Sequence, residues 1–223
     1  MGSDPVVAER RAGSGPSAAG APFEAILLAA GESRRMGYPK PLLKLGSRTF
    51  IEILAAAMLQ SVARLIVVVG AHGDAVRGAI PADPRILVVE NPDFLKGQLS
   101  SIKAALPQVG AEAAGALIHL ADHPMVRGET FAAVVDSYWR VGKPIAIARH
   151  QGRRGHPVLF AREMFVELAA APEDQGARAV VAADPSRVAY VDVDDPGVLT
   201  DLDTPEDLER AGLARPPGGA GAR

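Results

Sequence analysis

The stretch Leu27-Leu-Ala-Ala-Gly-Glu-Ser-Arg-Arg-Met-Gly-Tyr-Pro-Lys-Pro-Leu-Leu43 gathers residue types that hold anionic oxygens. Gly31 and Gly37 let backbone N–H groups come close to such oxygens, and Ser33, Arg34, Arg35 and Lys40 add donors and positive charge. This is not a Walker A loop, because Gly31 and Lys40 lie too far apart and no Gly-Lys-Ser/Thr follows. Nor is it the Gly-x-Gly-x-x-Gly turn of dinucleotide folds. A lone Gly–Arg–Lys loop reads more simply as a solvated basic turn. The order strand, Ala-Ala-Gly, Ser-Arg-Arg-Met-Gly, then Lys-Pro-Leu-Leu is what points to phosphate.

Two acids stand where a divalent cation bridging phosphates needs anchors. Asp122 follows the apolar run Ala116–Leu120, and Asp203 lies in Asp201-Leu-Asp-Thr-Pro near the end of the chain. Position alone also allows Asp122 to be a turn residue before Pro124, and Asp203 or Thr204 to be a helix cap. His119 and His123 are four apart with Asp122 between them, but the stretch reads as strand then loop, so no zinc-binding helical face is expected. His119 is expected in the core, and His123 is given no catalytic role. Gly97-Gln98-Leu99-Ser100-Ser101 sits at a helix start, where either serine can cap or meet a ribose or base. Gly155-His156-Pro157 reads as an exposed histidine near a basic hairpin tip with Arg153 and Arg154. Gly176 reads as a helix start, with Arg178 able to meet an anion.

These residues need a frame to bring them together. Short apolar runs at Ala25–Ala29, Leu65–Val69, Ile86–Val89, Ala116–Leu120, Ile145–Ala148, Pro157–Phe160 and Val188–Val193 predict strands. Several are apolar at every position, the pattern of strands buried on both faces. Helical patterns lie between and after them: Thr49–Ser61, Asp74–Ala79, Leu99–Leu106, Gly128–Val141, Arg162–Ala170, Gly176–Ala182 and Pro205–Ala211. The alternation predicts an α/β fold, a mostly parallel sheet with helices on both faces, plus a small antiparallel hairpin region around Gln151–Gly155. In such sheets ligands sit beyond the carboxyl ends of the strands, where the loop 31–43 and Asp122 both fall.

Composition removes several function classes. The chain has 223 residues, 48% apolar and 22% charged, which suits one globular domain over residues 23–213. Residues 1–22 and 214–223, rich in Gly, Ala and Pro, read as a disordered extension and tail. A net charge of −2 and 4% aromatics argue against nucleic acid as a partner. No apolar run approaches the roughly 20 residues that a bilayer requires. The absence of cysteine rules out thiolate catalysis and thiolate metal sites, and makes the cytoplasm the default compartment.

The motif Leu28-Ala-Ala-Gly-Glu-Ser-Arg-Arg-Met-Gly-x-x-Lys40 resembles the signature of nucleotidyltransferases with a nucleotide-diphospho-sugar transferase fold. Within them the chain is most similar to the molybdenum cofactor cytidylyltransferases. That resemblance runs from about Ile26 to Leu208 and takes in Gly97–Ser101, Ala121–Pro124, Gly155–Phe160, Asp174–Arg178 and Pro196–Asp207. It implies a Rossmann-like core, with Leu28, Ala29, Ala30, Gly31, Ser33, Arg34, Arg35, Gly37 and Lys40 around the nucleotide. Gly31, Arg35 and Lys40 would serve the triphosphate, and Gln98, Ser100 and Ser101 the nucleobase pocket. It also implies Mg²⁺ on Asp122 and Asp203, with Asp201 a substitute, and an acceptor site at Gly155, His156, Pro157, Gly176 and Arg178. Where His123 stands the family more often has another residue.

The implied reaction moves CMP from CTP to the phosphate of the molybdopterin cofactor and releases pyrophosphate. Lys40, Arg35 and Asp122 are its implied catalytic groups, and a molybdenum hydroxylase is the implied recipient of the product. Ala30 in Ala29-Ala30-Gly31 goes, by the same resemblance, with CTP rather than GTP. Transfer with GTP or to a sugar or other phosphate, and a non-catalytic carrier of the cofactor, remain the alternatives.

Overall fold

The computed structural model describes residues 22–214. The predicted extension and tail, apart from Pro22 and Ala214, lie outside these residues. Among the described residues nine strands form: β1 (Phe23–Ala29), β2 (Lys44–Leu45), β3 (Arg48–Thr49), β4 (Arg64–Val69), β5 (Ile86–Glu90), β6 (Gly115–Leu120), β7 (Ile145–His150), β8 (Arg153–Ala161) and β9 (Val188–Asp192). The α-helices are α1 (Phe50–Met58), α2 (Gly73–Ala79), α3 (Gln98–Ala105), α4 (Gly128–Val141), α5 (Phe165–Ala170), α6 (Arg178–Ala183) and α7 (Pro205–Arg210).

Seven strands make one sheet in the order β5-β4-β1-β6-β8-β7-β9, and β2 and β3 pair apart from it. β5, β4, β1 and β6 run parallel, β8 is antiparallel to both its neighbours, and β9 is parallel to β7. β1 is buried along its whole length because both faces of the sheet are covered. Ala25, Leu27 and Ala29 face a layer that includes Ile51 and Leu54 of α1 and Phe131 and Val134 of α4. The alternate residues, Ile26, Leu28 and Ala30, face Leu99 and Ile102 of α3 and Leu168 of α5.

The strands of the large sheet fall where the apolar runs predict, with one difference that matters for the site, while β2 and β3 match none of the predicted runs. Gln151 and Gly152 both take positive φ, 49° and 78°, and by themselves close a two-residue hairpin between β7 and β8. Residues 153–155, predicted as loop, are therefore strand. Because β8 is antiparallel to β6, its first half lies at the same end of the sheet as Leu120, beside the loops that follow the parallel strands.

A small third cluster, Met36, Leu43, Phe50, Leu202 and Leu208, packs the loop 31–43 against the C-terminal segment. The backbone N–H of Leu202 donates to the carbonyl of Asp122 at 2.9 Å. These contacts bring three segments distant in sequence to one place.

Candidate active site

Lys40 is fixed first by its own loop. Ser33 at φ 53° and Gly37 at φ 67° shape a tight turn, and the Lys40 backbone N–H donates to Ser33 Oγ at 3.0 Å. The side chain then reaches across to two carboxylates. Lys40 Nζ stands 3.0 Å from Asp122 Oδ2 and also donates to Asp203 Oδ1. Arg35 Nη2 pairs with the other oxygen of Asp203 at 2.6 Å.

Asp203 is free to do this because Thr204 caps α7. Its hydroxyl accepts from Asp207 N–H while the Asp207 carboxylate accepts from Thr204 N–H, a reciprocal box. Burial pulls the Lys40 pKa down, but the attraction of Asp122 and the bonds to both aspartates outweigh it and leave the ammonium above its ordinary 10.5. For Asp203, burial pushes up, yet Lys40 and then Arg35 hold the carboxyl below its ordinary value. Both carry full charge at neutral pH.

Beside this cluster lies a cavity of about 200 Å³ whose lining includes Leu28 and Gly31, Lys40, Pro41 and Asp122, and Phe94, Gln98 and Ser101. An added Cβ at Gly31 would meet nothing, so the backbone there is open to a ligand. Ala29, Ala30 and Ser33 also line this cavity. Arg34 instead is exposed and pairs with Glu32, and Gly37 serves the turn.

Ser100 is a correction: it does not contribute to the cavity. Its hydroxyl is buried, accepts from Asn91 Nδ2 at 2.9 Å and donates toward the carbonyls of Asp93 and Gly97. The adjacent Ser101 also accepts from Asn91 but borders the cavity. One helical step separates the two side chains by about a quarter turn, which decides which of them faces inward.

His156 corrects a second expectation, that of an exposed histidine. Since the turn is complete at Gly152, residue 156 already lies in the sheet. Its ring is 5.4 Å from that of His123 and 6.3 Å from that of His119. Burial first, then His123, pushes its pKa down to about 4, so it is neutral near pH 7. His119 is fully buried, as expected, with Nε2–H donating to the His123 carbonyl and its pKa held well below the ordinary range by burial.

Gly155 has a structural task, because a Cβ there would lie 1.9 Å from the Val198 carbonyl oxygen. Pro157 follows a cis peptide bond. Gly176 adopts φ 66° two residues ahead of α6, which begins at Arg178, later than predicted. Arg178 is near enough to His156 to disfavour its protonation. These two residues, expected at the acceptor site, therefore share one neighbourhood.

Residue types gave no notice of several supports. Gly70 lets β4 end against the loop, since a Cβ would lie 2.8 Å from the Ala30 carbonyl oxygen and 2.9 Å from Phe94 Cβ. The Ala71 N–H donates to that same carbonyl at 3.1 Å, and His72 Nε2–H donates to Glu32 O at 3.1 Å. The Val-Val-Val-Gly pattern at the end of β4 was the available signal for Gly70.

A divalent ion fits the residues present. Asp122 Oδ1 is buried without a hydrogen-bond partner, and Asp203 meets the same ammonium as Asp122. Among the described residues no group of three or more His, Asp or Glu is placed to hold a metal. Two carboxylates supplemented by phosphate oxygens and water is the usual arrangement for Mg²⁺ in phosphoryl chemistry. Among the described residues no helix is long and apolar enough to cross a membrane.

Comparison with known proteins agrees with this geometry. The family model for the MobA-like NTP transferase domain matches residues 25–188. The molybdenum cofactor cytidylyltransferase of Escherichia coli is 30% identical over 83% of this chain and 93% of its own. The molybdenum cofactor guanylyltransferase of Sinorhizobium fredii is 30% identical over 84% and 89%. Among solved structures, Rv0371c of Mycobacterium tuberculosis superposes with a TM-score of 0.72 at 31% identity, covering 86% of this chain and 98% of that one. A structure of the same mycobacterial protein described as a complex with manganese gives a TM-score of 0.67 at 29% identity, covering 86% and 98%. With the family model matching residues 25–188 and relatives at 30% identity over more than four fifths of the chain, this chain is a nucleotidyltransferase of the MobA-like NTP transferase family.

Proposed function

We propose that the protein transfers CMP from CTP to the phosphate of molybdopterin. An acceptor phosphate oxygen attacks the α-phosphorus, the bond from that phosphorus to the β-phosphate oxygen breaks, and pyrophosphate leaves. A phosphate monoester is largely ionised at pH 7, so the attack needs no general base. The barrier is the repulsion between two anions and the charge growing on the leaving group, which positioning and fixed cations address.

The observation that carries this reading is the convergence of Lys40, Arg35, Asp122 and Asp203 at the edge of the Leu28–Gly31 cavity. Lys40 and Arg35 would neutralise the triphosphate. Asp122 and Asp203 would hold Mg²⁺, which supplies Lewis-acid neutralisation of phosphate oxygens when bound. Gln98 and Ser101 would meet the base. Arg178 and the neutral His156 would meet the acceptor.

Ala30 lines the cavity, and a methyl there in place of hydrogen would favour the smaller pyrimidine. The second reading, GTP as donor, is kept by the guanylyltransferase relative, whose identity is the same 30%. A molybdenum hydroxylase is the proposed recipient of the product and the cytoplasm the proposed compartment. Pyrophosphate release measured with CTP and GTP in competition, with Mg²⁺ and molybdopterin, tests the proposal. A preference for CTP supports it and a preference for GTP overturns the base assignment. No release with either nucleotide leaves a carrier.

A further inference from the structure

The charges of the candidate site balance among the protein's own side chains. Two carboxylates, Asp122 and Asp203, face two cations, Lys40 and Arg35, and the Lys40 ammonium touches both acids. We propose that Lys40 is a placeholder: it occupies the space shared by the two aspartates, keeps divalent ions out of the empty site, and gives up that place when a triphosphate draws it away.

The physical case is electrostatic. A lone M²⁺ entering beside Lys40 would add two charges to a neutral cluster of low solvent access and would face the ammonium at close range. A nucleotide changes both terms. It brings several negative charges, and it offers Lys40 alternative partners in the cavity that the lysine already borders. The metal then finds two carboxylates released and phosphate oxygens beside them. Arg35, with its side chain 70% exposed, is free to follow the triphosphate, whereas Lys40, at 14%, has no route to solvent as easy. The anchoring of Lys40 through Ser33 and the packing of Met36 and Leu43 on Leu202 hold this arrangement. Metal and nucleotide binding are therefore coupled, and by linkage each tightens the other by the same factor.

This rests on the nucleotidyltransferase reading but is tested apart from turnover. Mn²⁺ binding to the nucleotide-free protein is followed by electron paramagnetic resonance for wild type, Lys40→Met, Lys40→Gln and Lys40→Arg. The placeholder predicts that Lys40→Met and Lys40→Gln tighten nucleotide-free Mn²⁺ binding by about tenfold or more, while Lys40→Arg leaves it weak. Mn²⁺ should raise the Tm of Lys40→Met and Lys40→Gln more than that of wild type. CTP should tighten Mn²⁺ strongly in wild type and less in the Met and Gln variants. Equal or weaker nucleotide-free Mn²⁺ binding in both neutral variants overturns the proposal. Pyrophosphate release by wild type is scored separately. If release is normal and the Mn²⁺ result is negative, the placeholder fails and the enzyme reading stands. If release is absent while Lys40→Met tightens Mn²⁺, the reverse holds.

Discussion

At the residue scale, the centre of the molecule is a lysine held by two aspartates that lie 82 and 163 positions further along the chain. Lys40→Ala removes the only group touching both acids in that cluster. Asp122→Ala removes the carboxylate whose second oxygen has no hydrogen-bond partner and stands 3.9 Å from His123 Nε2. Each substitution is expected to lower kcat for pyrophosphate release by about a hundredfold or more, the scale for losing one charge-stabilising group. Near-normal turnover in either variant would remove that residue from the chemistry. Ala30→Gly is expected to lower the CTP-to-GTP ratio of kcat/KM by about tenfold, the worth of one methyl in a shaped pocket. An unchanged ratio places base selection elsewhere.

At the element scale, the site depends on how α7 and β8 end and begin. The Thr204–Asp207 box starts α7, so that Asp203, immediately before it, can turn to Lys40 and Arg35. Thr204→Ala should destabilise the protein by about 1 kcal/mol, read from denaturant midpoints. It should also weaken turnover through the misplaced carboxylate. β8 packs its Gly155 directly under the segment Pro196–Leu199, and the Val198 carbonyl leaves no space for a methyl. Gly155→Ala is expected to cost about 1–3 kcal/mol by overpacking, whereas Gly152→Asn, at a hairpin position of φ 78°, should cost much less. Comparable losses in both variants would contradict this account of Gly155.

At the scale of the whole molecule, three imidazoles meet where β6, β8 and the loop after β6 join: His119, His123 and His156. Two of them have depressed pKa values, His156 at about 4 and His119 well below the ordinary 6.5, in each case chiefly through burial. As pH falls the unfolded chain takes up these protons first, so their contribution is complete above about pH 6.5 and is lost as pH falls toward about 4. Asp203 has its carboxyl held below 3.8 and keeps its contribution through that window. Thermal unfolding should show Tm declining between pH 6.5 and 4, and His156→Gln should flatten the decline. An equally steep fall in the variant would assign the acid sensitivity to other groups.

The sequence by itself determined the layers and the helix start at Thr204. Apolar runs such as Ala25–Ala29 and Leu65–Val69 must be buried on both faces, and that demand is local enough to be read residue by residue. The Thr204-Pro205 helix start is likewise a short-range pattern, legible because its hydrogen bonds close within a few residues. The tertiary structure decided what depends on distant pairs. It sent Ser100 into a network with Asn91 and Ser101 to the cavity, drew His156 into the sheet beside His123, and set Asp203 rather than the exposed Asp201 against Lys40. The physical reason is that a side chain's partner across the sheet is fixed by strand order and by packing such as Met36 and Leu43 on Leu202, and neither leaves a mark in the spacing of neighbouring residues.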